Sequence, residues 1–151
     1  MFVTYRYQFL ILNFACMIAE TILRIAKDLF GIFTKLDDNR LQRTARIAEY
    51  FSNLAQTIED TSAYLKKGDY PHGECANLRM HADRMVSTIG DIIGNSEAEQ
   101  YAARVMEIWE IEKMYGELIG IDDKEKEKQL HVLDEAAGYF RGVAAHLRVT
   151  G

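Results

Sequence analysis

Proline is almost missing from this chain. Pro71 is the only one, and it stands between Gly68 and Gly73 near the middle of the sequence. Few β-branched runs occur either, so little in the chain breaks a helix or favours a strand. Cysteine is nearly as scarce: Cys16 and Cys75 make no disulfide framework and no ligand pair at metal-binding spacing. Basic charge is in deficit, with 18 Lys and Arg against 23 Asp and Glu, a net charge of −5. That balance argues against a general binder of nucleic-acid backbones, and no DNA partner is expected. A long apolar run is also lacking. The uncharged stretch Phe9–Ala19 falls short of the ~20 apolar residues that a membrane-spanning helix needs.

What remains is ordinary globular composition, 48% hydrophobic and 27% charged over 151 residues, enough for one domain with its own core. Apolar residues recur at alternating steps of three and four, the spacing of one helix face. Ile11, Ala15, Ile18, Ile22, Ile25, Leu29 and Ile32 form the first stripe, with Asn13, Glu20, Arg24 and Lys27 on another face. Asp37-Asp38 offers N-caps for a second helix reaching about Lys67, with a seam of Ile47, Phe51, Leu54, Ile58, Thr61 and Leu65. Arg40, Arg43 and Arg46 near its start read as a solvated basic stripe. Lys66–Cys75 is the central hairpin: Gly68 closes one helix and Pro71 suits the first turn of the next.

The third stripe is Cys75, Leu78, Ala82, Met85, Ile89 and Ile92, which places His81 with Glu74, Asn77 and Arg84 on the wet side. Gly90 inside it is either tolerated strain or the seat of a close neighbour. Gly94 ends that helix, and Ser96-Glu97-Ala98-Glu99 reads as a capping box for the next. Tyr101, Val105, Ile108, Ile111, Tyr115 and Leu118 form the fourth stripe, which Gly120 closes. Asp122 or Asp123 caps the last helix, whose seam is Leu130, Leu133, Ala137, Phe140, Ala144 and Leu147. Short connections make sequential helices antiparallel neighbours. The expectation is an all-α, antiparallel up-and-down bundle of four to five helices in one domain, residues 1–151.

Residues 1–16 differ from the rest, being aromatic-rich with Arg6 as the one charged side chain. Two readings stand: translation begins at Met17, or residues 9–16 extend the first helix over the bundle end. The apolar segment 1–33 also leaves membrane contact as a reading, against a cytoplasmic default set by the cysteine usage.

Chemistry has few candidates. A di-iron bundle needs Glu-x-x-His on two helices, and none occurs. Glu127, His131 and Glu135 align at four-residue steps but face away from the Leu130/Leu133/Ala137 seam, a salt-bridge row rather than a metal site. Neither metal nor cofactor is expected. Cys75 falls on a seam as a small buried hydrophobe. Arg141-Gly142-Val143-Ala144-Ala145-His146 is the one enzymatic pattern. This R-x4-H spacing on the last helix of a helical domain resembles the HEPN-type RNases. The resemblance implies metal-independent RNA cleavage in a dimer cleft, with His146 moving the 2′-hydroxyl proton and Arg141 stabilising the phosphorane. Gly142 departs from the polar residue usual in that family after the arginine. At fold level alone, an apolar first helix on a bundle also resembles the helical executioner domains of cell-death systems.

The favoured expectation is a non-catalytic interaction or regulatory module that docks on a protein partner or self-associates, with Trp109, Met106 and Met114 as interface candidates. The methionines Met80 and Met85 and the eight tyrosines suit adaptable contacts of the same kind.

Overall fold

The computed structural model describes residues 19–36, 44–106 and 123–150. Five helices account for nearly all of them: α1 (19–34), α2 (Thr44–Lys66), α3 (His72–Ile93), α4 (Asn95–Met106) and α5 (Asp123–Thr150). No strand occurs among the described residues, and the helices pack on one another as a bundle. The segment 1–16, the caps at Asp37-Asp38 and Asp122, Arg40 and Arg43, and the stripe from Ile108 to Leu118 lie outside the described residues. None of the described helices is long and apolar enough to cross a membrane.

The central hairpin forms as its residue types require. Helix α2 ends at Lys66, and Gly68 takes a φ of +77°, where a side chain would be strained. The Asp69 amide donates to Tyr64 O at 2.9 Å and the Gly68 amide to Leu65 O at 3.1 Å. These two bonds are the Schellman closure, which satisfies carbonyls the helix end leaves open. Pro71 sits one place earlier than the first helical turn. It occupies the N-cap of α3, and its carbonyl accepts the Cys75 amide at 3.0 Å.

Helix α2 is the axis of the bundle. Lys66 Nζ meets Asp134 Oδ2 at 2.7 Å, whereas Arg141 of α5 reaches Glu59 and Gln56, so the two helices run antiparallel. All six residues of the α2 seam are buried. Phe51 is their centre, edge-on to Phe33 of α1 at 5.2 Å and stacked with Phe140 of α5 at 6.0 Å. The α1 stripe runs through Ile22, Ile25 and Leu29 but finishes on Phe33, not Ile32, which is half-buried. A four-residue last step brings the larger ring onto Phe51.

The α3–α4 junction differs from its sequence reading. Ser96 and Glu97 lie inside the first turn of α4, so the Ser96–Glu99 box is not the cap. Gly94 stands there instead, donating to Gly90 O at 2.9 Å and accepting the Ala98 amide at 3.0 Å. Its φ of +99° allows one residue to both end α3 and start α4. Gly90 has the close neighbour, since a Cβ at that position would collide with the Asn95 side chain.

Candidate functional site

The residues singled out for catalysis lie on the second half of α5. The Arg141 guanidinium forks onto Glu59, with Nε donating to Oε1 at 2.6 Å and Nη2 to Oε2 at 2.7 Å. Nη2 also donates to Gln56 Oε1 at 2.8 Å. The hydrogen bond from Arg141 holds the Glu59 carboxyl below the usual carboxylate range. Arg141 thereby faces α2. Tyr139 and Gly142 face α1: the Tyr139 ring is edge-on to Phe30 at 5.6 Å, and Phe30 Cε2 lies 2.9 Å from where a Gly142 Cβ would stand. His146 follows Gly142 by one helical turn and shares that α1 flank. Arg141 and His146 are therefore about 140° apart around α5. Exposed Gly138 and Ala145 lie on that arc, and buried Phe140, Val143, Ala144 and Leu147 occupy the wider arc on the core side. The glycine after Arg141 has a packing reason, because the Phe30 ring occupies the space of a side chain.

The interface candidates fare unevenly. Trp109 and Met114 lie outside the described residues. Met106 is the last residue of α4 and is half-buried against the core. Met85 is fully buried, while Met80 remains 48% exposed. Cys75 is buried on its seam, as its spacing requires. Glu127, His131 and Glu135 are exposed on the outer face of α5. Among the described residues, no group of three or more His, Cys, Asp or Glu is arranged to hold a metal ion.

The most developed polar site lies elsewhere, between α2 and α3, and His81 is at its base. The sequence pattern puts His81 on the wet side of α3, but the structure turns it half into the α2 contact. It stands three residues after Leu78 and four before Met85, both buried, so it flanks the seam instead of opposing it. Tyr50 donates its hydroxyl to the His81 carbonyl at 2.6 Å, and their rings meet edge-on at 5.6 Å. Thr57 Oγ1 lies 2.9 Å from the Asn53 carbonyl, which can only accept, so the hydroxyl proton is committed there. The same oxygen lies 3.2 Å from His81 Nε2 and must accept from it. Neutral His81 is thus the Nε2–H tautomer, with its lone pair on Nδ1.

Burial, reinforced by the Arg84 guanidinium, holds the His81 pKa below the ordinary histidine value. Burial likewise pushes the Tyr50 phenol upward, so it stays a donor. Above this base the two helices part into a cleft of about 540 Å³. Arg46, Glu49, Tyr50 and Asn53 line it from α2, all on one helical face. His81, Arg84, Ser87 and Thr88 line it from α3. Ser87 and Thr88 donate back to Arg84 O at 3.0 and 2.7 Å, which leaves the two guanidiniums and the Asn53 amide as donors toward the cleft.

A second cleft, of about 520 Å³, lies by Lys66, Asp123, Lys126, Glu127, Leu130, His131 and Asp134. Its charges are mixed and Lys66 is already paired with Asp134. Set against protein-family models, curated proteins and solved structures, the chain matches none.

Proposed function

We propose that this chain is a non-catalytic helical module that docks on a protein partner or on a second copy of itself, working in the cytoplasm, where the buried thiol of Cys75 stays reduced. One observation carries the reading. Arg141, half of the only residue pair with a catalytic spacing, is committed to Glu59 and Gln56 as a strut between α2 and α5. Its partner in that spacing, His146, stands on the other flank of the same helix. The exposed Met80 of α3 and Tyr64 of α2 supply apolar surface of the kind that partners use.

The test sets the nuclease against the module. Full-length protein incubated with mixed-sequence RNA in EDTA is expected to leave it intact. Used as bait, wild type is expected to retain a defined protein, itself included, that Met80→Glu loses. EDTA-resistant cleavage abolished by both Arg141→Ala and His146→Ala would overturn the proposal.

A further inference from the structure

We propose that the cleft between α2 and α3 binds a small phosphorylated ligand, its phosphoryl group gripped between Arg46 of one helix and Arg84 of the other. The inference stands independently of the reading above.

Size and donors agree. A cleft of about 540 Å³ lies within the range of ~300–1,000 Å³ usual for small-molecule sites. Arg46 and Arg84 are exposed, and neither is the cation of the Lys66–Asp134 or Arg141–Glu59 pair. Each guanidinium offers a planar fork matched to two oxygens of a phosphate. A lone carboxylate can fill only one fork, whereas a phosphate monoester has three terminal oxygens and can engage both. The Asn53 amide adds a donor on the α2 wall.

The walls are set in advance. Tyr50 and Thr57 tie α2 to His81 of α3 below the cleft, so binding does not have to order the two helices. Glu49 is the opposing feature. It is the one carboxylate in the lining and repels any anion, so with His81 neutral the lining carries a single net positive charge. Tyr50 stays protonated and contributes none.

His81 couples the site to pH. The Arg84 charge that disfavours the imidazolium is offset when an anion sits on Arg84, so the bound state takes up a proton on Nδ1 more readily. Reciprocity then requires that binding tighten as pH falls through the histidine range.

The experiment uses the full chain and inorganic pyrophosphate, followed by NMR of backbone amides and histidine ring protons and by calorimetry. Saturable shifts are expected on residues 46–53 and 81–88, with the His81 ring titration moving to higher pH. Arg46→Gln and Arg84→Gln should each weaken binding about tenfold or more, the scale of one charge-assisted hydrogen bond. Glu49→Gln should tighten it. All three positions are exposed, so melting temperatures near wild type are expected and will separate lost binding from lost folding. Shifts scattered over surface lysines, or binding unchanged in Arg84→Gln, would overturn the proposal.

Discussion

The two flanks of α2 are built from different materials. Toward α5 the contact is aromatic at its centre, Phe51 on Phe140, and ionic at its rim, where Arg141 and Lys66 pair with Glu59 and Asp134. Charges stay at the edge, where water still reaches them, and large rings fill the middle. Toward α3 the order is reversed. Phenol, hydroxyl and imidazole are tied together within the contact, and charged side chains above them face a cleft. The first arrangement maximises apolar burial, and the second holds polar groups in fixed directions at some cost in burial. The difference teaches that apolar packing and an ordered polar network are divided between opposite sides of one helix.

The sharpest way to break this comparison is at its aromatic centre. Phe51→Ala removes a fully buried ring that touches α1, α5 and Tyr50 of its own helix, and should destabilise by about 3–5 kcal/mol. Urea denaturation measures it. A loss under about 1 kcal/mol would place the mechanical centre of the bundle elsewhere.

Much of that centre was legible in the sequence. All six α2 positions named by steps of three and four are buried, and Gly68 with Pro71 marked the hairpin, because backbone geometry and burial leave strong local signals. The steps passed over Ala48, Tyr50, Ala55, Thr57 and Ser62, which are buried beside them. What was not legible depended on neighbours distant in the chain. His81 reads as wet from its own helix alone, and only Tyr50 and Thr57, dozens of residues earlier, turn it inward. The role of Arg141 had the same difficulty: R-x4-H is visible along one helix, but Glu59 lies on another. Gly90 and Gly142 could be seen as glycines, though not as the seats of Asn95 and Phe30.

Those glycines give a middle-sized test of the α5 contact. Gly142→Ala would put a methyl 2.9 Å from Phe30 Cε2, a close approach that the ring must yield to. Gly138, one turn earlier on the exposed side, has nothing within 4 Å of the same added atom. Gly138→Ala should stabilise by about 0.5–1 kcal/mol through helix propensity. Gly142→Ala gains the same propensity but meets an overpacking penalty of ~1–3 kcal/mol, so its net effect should be destabilising. Thermal melts of both variants decide the matter. Equal stabilisation by the two would mean that Phe30 does not press on α5.

The smallest effect separates the flanks by pH. On the α3 side, the folded-state pKa of His81 is depressed below its unfolded value of about 6.5. As pH falls below that value, the unfolded chain takes up the proton first, and stability drops until the folded pKa has been passed. On the α5 side, the folded pKa of Glu59 is also depressed, chiefly by the hydrogen bond from Arg141. Its contribution is complete above the ordinary carboxylate pKa and disappears as pH falls through the lower folded value, a more acidic window. Both groups lose stability on acidification, but the polar flank loses it first. Urea midpoints of wild type and His81→Gln, measured from about pH 7.5 downward, resolve the two steps. The variant should lack the decline in the histidine range and keep the one in the carboxylate range. An identical pH dependence in both proteins would mean that His81 is solvated, and that the polar contact between α2 and α3 does not hold it.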